Sequence, residues 1–148
     1  MGLDHAIYRV INCDGRDCDH YHDDVPADKR IAHLDTKDEV ISWRKENWLH
    51  AWFVEHVNGG EDNGCWLTEV SLEQLAGLAT TIERTIEAHD PSLLPPSAGF
   101  FFGSTDAGDY YWRQLERELG EIRQLLVDEQ AHVAAGNPPH RYAYWCWW

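Results

Sequence analysis

Apolar residues recur every three or four positions in three stretches of the chain, and this spacing predicts three helices. The predicted helices span residues 38–57, 71–90 and 106–134. The second opens with Ser71 followed by Gln74, the arrangement of a capping box, in which each side chain bonds the backbone N–H of the other residue. The third carries an apolar seam that can pack against another helix.

Apolar and aromatic residues cluster or alternate in three shorter stretches, which predict strands at residues 3–12, 65–70 and 141–148. The last stretch, RYAYWCWW, is so aromatic that it must be buried in a sheet or in an interface. The element order β-α-β-α-α-β predicts one α+β domain over residues 1–148, in which a small antiparallel sheet packs with three helices. We expect the two terminal strands to pair with each other.

A polar, acid-rich segment at about 13–37 separates the first predicted strand from the first predicted helix, and we interpret it as a loop or insertion. It contains Cys13, Cys18, His20 and His22, and zinc is bound by such thiol and imidazole donors in sets of four. The usual C-x2-C and H-x3-H pairs are absent. A loop without metal is therefore the commoner interpretation, and a zinc-stapled loop is the alternative.

The chain is strongly acidic, with 26 Asp and Glu against 12 Lys and Arg and a formal net charge of −14. Direct nucleic-acid binding is not expected, because proteins that bind nucleic acids usually present a basic face. No apolar run is long enough to span a bilayer and no secretory signal is visible, so we expect a cytoplasmic protein with free thiols. An acidic surface suits solubility or a basic protein partner.

The stretch WRKENWLHAWF, residues 43–53, places polar side chains in an apolar predicted helix. A buried polar group costs about 1–3 kcal/mol unless it is hydrogen-bonded, so Asn47 and His50 need partners. One interpretation is a structural network that ties the helix to a loop, such as GGEDNGC. The other is a ligand pocket, or an enzyme site in which His50 activates Cys65. The candidate ligand-binding residues are Trp43, Arg44, Asn47, His50, Asn63 and Cys65.

A set of motifs spread over most of the chain carries a family resemblance. The chain opens with MGLD and a following Tyr8, carries WRKENWLHAWF in its middle, and has DNGC before a predicted strand. A Leu-rich helix that begins at a Ser, LLPPSAGFFFGSTDAGDYYW and an aromatic C-terminal end follow in order. In these motifs the chain resembles a family of small, largely uncharacterised bacteriophage and prophage proteins. The resemblance implies a phage-encoded protein that acts in a bacterial cytoplasm, and the segment at 13–37 departs from the family pattern.

Two aromatic segments are candidate interfaces. GFFFGS at 99–104 contains Phe101 and Phe102, which more commonly fill a core from a loop but can form an exposed patch. Trp145 and Trp147 lie in the aromatic tail, which can mediate assembly into a homo-oligomer.

Catalysis is not favoured, because metalloprotease, nucleophile-elbow and Walker motifs are all missing from the sequence. The leading hypothesis is therefore a phage accessory protein whose acidic surface binds and modulates a host bacterial protein, such as a host-defence factor. One alternative is an enzyme that uses a small ligand or a metal at a site around His50. Another is a virion or structural component that assembles through its aromatic tail.

Overall fold

The computed structural model of the chain describes residues 2–10, 34–62, 68–98 and 105–147, with the backbone alone described at 34–38. These parts of the chain form four strands, three α-helices and a short 3-10 turn. The strands are β1 (Asp4–Val10), β2 (Leu34–Arg44), β3 (Thr68–Val70) and β4 (Arg141–Trp147). The helices are α1 (Asn47–His56), α2 (Leu72–Ala88) and α3 (Asp109–Ala134), with the 3-10 turn at Pro91–Leu93.

The four strands form one antiparallel sheet in the order β2-β1-β4-β3. β1 and β4 are neighbours and pair along their full lengths, from Asp4 opposite Trp147 to Val10 opposite Arg141. The predicted pairing of the terminal strands is therefore confirmed, as is the α+β class with a small antiparallel sheet and three helices. β2 pairs with the other side of β1, and this strand was not predicted from the sequence.

The first predicted helix is wrong over its N-terminal part, because residues 38–44 belong to β2. Burial alternates here, with Ile41 and Trp43 buried between exposed neighbours, and this is the period of a strand. Lys45 then takes a left-handed backbone conformation with φ 65°, which ends the strand. Helix α1 begins only at Asn47. A short apolar run fits either period, which explains the error.

The predicted acidic loop at 13–37 also ends earlier than expected, because β2 begins at Leu34. Its remaining part, and with it the candidate zinc donors, lies outside the described residues.

The second and third predicted helices are confirmed. Gln74 N donates to Ser71 Oγ at 3.0 Å and Ser71 N donates to Gln74 Oε1 at 2.9 Å, so the predicted capping box closes the start of α2. α3 packs against α2 and begins at Asp109, three residues later than the predicted boundary at 106. None of the described helices is both long and apolar enough to cross a membrane.

The main core lies between one face of the sheet and the helices. Along β4, Tyr142, Tyr144 and Cys146 belong to this core, as the alternation of the sequence predicted. The ring of Tyr144 stacks on that of Phe53 in α1, with centroids 3.9 Å apart. A smaller cluster on the opposite face of the sheet contains Ala6, Tyr8 and Ala143, with Val10 and Trp145 packed against it.

Candidate functional site

Asn47 and His50, the two polar residues expected to have partners, are buried on α1 and do have them. Asn47 Oδ1 accepts a hydrogen bond of 2.9 Å from the backbone N–H of Ser97. His50 Nε2 lies 3.1 Å from a carboxylate oxygen of Asp62, and its Nδ1 lies 2.7 Å from the hydroxyl of Tyr144. Both side chains therefore tie α1 to distant parts of the chain, although His50 uses side chains rather than loop backbone.

The hydrogen bonds of His50 belong to a longer chain of groups, Asp62, His50, Tyr144 and His5. We call it the buried relay after its last three members, since Asp62 at its outer end is 37% exposed. The Tyr144 hydroxyl lies 3.1 Å from His5 Nδ1. Burial, followed by the neighbouring His50, holds the pKa of His5 well below its ordinary value. Burial likewise raises the pKa of Tyr144 well above its ordinary value. The relay therefore favours an uncharged His5 and Tyr144.

The relay ends at a polar cleft, which we call the His5–Glu46 cleft. Its volume is about 470 Å³. His5 Nε2 lies 3.9 Å from Glu46 Oε2, and both side chains are buried. The cleft is lined by Asp4, His5, Glu39, Ser42, Trp43, Arg44, Glu46, Tyr110, Arg117 and Trp147.

Glu46 is the unusual carboxylate of this cleft. Burial raises its pKa to about 7, although backbone hydrogen bonds and the nearby Arg117 act in the opposite direction. Arg117 Nη2 lies 3.6 Å from Glu46 Oε1, so one oxygen of Glu46 has a cationic neighbour and the other points to His5. A carboxyl group with a pKa of about 7 can act as either acid or base near neutral pH.

The candidate pocket predicted around His50 is only partly assembled. Trp43 and Arg44 line the His5–Glu46 cleft from β2, with Trp43 buried and Arg44 held 3.7 Å from Asp4. Asn47 and His50 do not line it. Asn63 and Cys65 lie outside the described residues.

Sequence reasoning did not identify His5 and Glu46 as site residues. His5 follows the alternation of β1 and shares the core side with Ile7, which was a usable signal. The sequence predicts Glu46 inside a continuous helix, whereas it occupies the N-cap position of α1 after the left-handed Lys45 and makes no capping hydrogen bond with its side chain. No sequence signal shows that such a glutamate is buried.

A second buried carboxylate lies beside this region, between α1 and α3. Trp48 Nε1 donates to both oxygens of Glu118, at 3.0 and 3.1 Å. Burial raises the pKa of Glu118 to about 8, against the opposing effect of the Trp48 hydrogen bond and with a further contribution from Glu46. Two buried carboxylates near each other therefore favour their neutral forms.

A third cluster lies at the other end of α3, in a cleft of about 820 Å³ between α3 and the sheet. Glu129 accepts hydrogen bonds of 2.7 Å from the backbone N–H of His140 and from the hydroxyl of Tyr142, and lies 2.8 Å from His140 Nδ1. Burial alone would raise the pKa of Glu129, but the hydrogen bonds from His140 and Tyr142 outweigh it and the net shift is downward. Each oxygen of this carboxylate is satisfied, which indicates a structural lock.

Several arginines of the described residues are already paired with acids. The closest N···O distances are 2.6 Å for Arg123–Glu83, 2.8 Å for Arg117–Glu121 and Arg141–Glu69, and 3.7 Å for Arg44–Asp4. Much of the positive charge of the described residues is thus matched locally.

The predicted interface residues fall into two groups. Trp145 is half-buried against Tyr8, and Trp147 is exposed at the mouth of the His5–Glu46 cleft. Phe101 and Phe102 lie outside the described residues.

The predicted zinc donors Cys13, Cys18, His20 and His22 also lie outside the described residues. Within the parts of the chain that the structure describes, no group of three or more His, Cys, Asp or Glu side chains is placed to hold a metal ion.

Comparison of the chain with protein-family models, with curated proteins and with solved structures found no match. The resemblance to phage and prophage proteins therefore stays a prediction.

Proposed function

We propose that this chain is a phage-encoded accessory protein that binds and modulates a host bacterial protein through its acidic surface. The resemblance of its motifs to phage proteins supports the setting. The net charge of −14 supports a partner with a basic surface, since complementary charge accelerates association and discriminates between partners.

The single observation that carries the proposal is the pair of exposed aromatic side chains at the mouth of the His5–Glu46 cleft. Tyr110 is 50% exposed and Trp147 is 36% exposed. Both line the cleft together with the carboxylates of Asp4 and Glu39. Tyr and Trp are the residues that most often dominate binding energy at protein interfaces, and here they stand among acidic groups.

The proposal is tested by capturing partners from a host bacterial lysate with tagged protein at low and at high salt. A specific partner should be retained at low salt and lost as salt rises, because exposed charge pairs are screened. The captured protein is then purified and its affinity for the wild-type chain is measured directly.

Two variants test whether the partner binds at the exposed aromatic side chains of the cleft. Tyr110→Ala and Trp147→Ala should each weaken binding by about 10-fold or more, as expected for central aromatic contacts. Val127→Ala removes an exposed apolar side chain of α3 that does not line the cleft, so it serves as the matched control. Capture that is unaffected by salt and by both aromatic substitutions would contradict the proposal. Assembly of the chain with itself, seen by sedimentation, would favour the structural-component alternative.

A further inference from the structure

Besides Trp43 Nε1, two buried atoms of the residues that line the His5–Glu46 cleft have no hydrogen-bond partner among the described residues: His5 Nε2 and Glu46 Oε2. They lie 3.9 Å apart, which is too far for a direct hydrogen bond but suits one donor group placed between them. The two side chains are 0% and 2% exposed. Buried polar atoms are nearly always paired with protein, ordered water or a ligand, so this pair is a position for a donor group from outside the chain.

The buried relay determines what His5 offers to such a ligand. A carboxylate only accepts, so Asp62 accepts from His50 Nε2–H. With one proton on each imidazole, His50 Nδ1 then accepts from the Tyr144 hydroxyl, and the Tyr144 oxygen accepts from His5 Nδ1–H. His5 Nε2 is left with a lone pair. With both imidazoles neutral, it is a hydrogen-bond acceptor, as is Glu46 Oε2 once a cation stabilises the ionised carboxylate, and a ligand that pairs with both must bring donors.

The charged groups around the cleft indicate the sign of the ligand's charge. Arg117 makes an ion pair with Glu121 at 2.8 Å, and Arg44 lies 3.7 Å from Asp4. Three carboxylates line the cleft together with these two guanidinium groups, those of Asp4, Glu39 and Glu46, and Glu121 pairs with Arg117 beside it. The excess of carboxylates disfavours an anion and favours a cation that carries N–H donors.

The walls of the cleft suit the same class of ligand. Trp43 lies deep in the cleft, with its ring centroid 5.3 Å from that of His5. Tyr110 and Trp147 stand at the mouth and are exposed. Cations bind favourably over aromatic faces, and the aliphatic stem of a basic side chain packs on aromatic rings. A volume of about 470 Å³ accommodates one such side chain.

We propose that the His5–Glu46 cleft binds the guanidinium or ammonium group of a basic side chain presented by a protein partner. The cationic group donates to His5 Nε2 and Glu46 Oε2, and its stem passes between Tyr110 and Trp147. This inference rests on the proposed function for the source of the side chain. A free diamine brings the same chemistry, and the experiment below separates the two sources.

The experiment is an NMR titration of the ¹⁵N-labelled full chain, which follows the indole N–H signals of Trp43 and Trp147. The probe is N-acetyl-arginine amide. N-acetyl-citrulline amide is the neutral control of nearly the same shape, and putrescine represents a free diamine. Saturable shifts with the arginine probe and none with the citrulline probe are the expected result. Equal shifts with both probes, or none with either cation, would overturn the inference. Stronger binding of putrescine than of the arginine probe would reassign the ligand to a free amine.

Two glutamate variants test whether the cationic group binds at Glu46. Glu46→Gln removes the acceptor charge but keeps the shape, and it should weaken arginine binding by about 10-fold or more, since charge-assisted hydrogen bonds are the strong ones. Glu116→Gln changes the net charge equally on an exposed position that does not line the cleft, so binding should stay within about 2-fold of wild type. Circular dichroism checks that both variants are folded. Retained affinity in folded Glu46→Gln contradicts the site.

The inference and the proposed function fail in different ways. If the arginine probe binds but no host protein is captured, the cleft stands and the proposed function falls. If a host protein is captured with equal affinity by wild type and Glu46→Gln, the partner binds elsewhere and the cleft assignment falls.

Discussion

Glu118 links the burial of a carboxylate to the pH dependence of folding. Its carboxyl group is fully buried and accepts from Trp48 Nε1 on both oxygens. Burial raises its pKa from 4.5 to about 8, so the folded chain holds a proton there that the unfolded chain releases. The stability contributed by this group is fully present below pH 4.5 and is lost as pH rises through about 8.

The magnitude follows from the linkage relation. With pKa values of 4.5 unfolded and about 8 folded, the contribution of Glu118 to the unfolding free energy falls by about 2 kcal/mol between pH 6 and pH 8. Glu118→Gln cannot ionise, and its amide oxygen still accepts from Trp48. The variant should therefore lose about 2 kcal/mol less than wild type over the same interval.

The assay is urea unfolding followed by circular dichroism at pH 6, 7 and 8. The change with pH is compared between proteins, so effects shared by both, such as that of His5, cancel. Glu116→Gln, an exposed glutamate of the same helix, should keep the wild-type slope. If Glu118→Gln and wild type lose stability in parallel, the buried carboxyl is not protonated in the folded chain and the reasoning is refuted.

Three further substitutions test local features by the same urea assay. Tyr144→Phe removes the hydroxyl that bonds buried nitrogens of His50 and His5 and should cost about 2 kcal/mol or more, so a neutral effect would argue against the buried relay. Ser71→Ala removes the helix cap and should cost about 1 kcal/mol; an unchanged midpoint would show that the capping box contributes little. Lys45→Gly should stabilise by about 0.5–1 kcal/mol because its φ of 65° suits glycine, and destabilisation would count against that conformation.

The sequence predicted those parts of the fold whose signals are local and repeated. The seam of α3 and the alternation of β4 each repeat one period over several residues, and the capping box at Ser71 is a short local motif. All three appear in the structure. The stretch at 38–44 was misassigned because its apolar positions satisfy a helical wheel as well as a strand. The turn at Lys45 that separates it from α1 has no Gly or Pro to mark it.

The candidate site was harder to predict because its residues come from separate elements. Burial alone predicted that Asn47 and His50 need hydrogen-bond partners, and the structure shows a partner for each of them. The joining of His5 to Tyr144 depends on the register of β1 with β4, which no local pattern encodes. Glu46 faces this pair only because β2 ends one residue before the left-handed Lys45.

The pairing of β1 with β4 also affects how the chain acquires its fold. β1 lies near the start of the chain and β4 near the end of the described residues, yet they are central neighbours in the sheet. Contacts between such distant segments slow folding, since the entropy cost of closing the long intervening loop must be met before they form. Until β4 has left the ribosome, one side of β1 stays open to pairing with other chains. The docking of β4 therefore completes the core and closes that side of β1 in a single step.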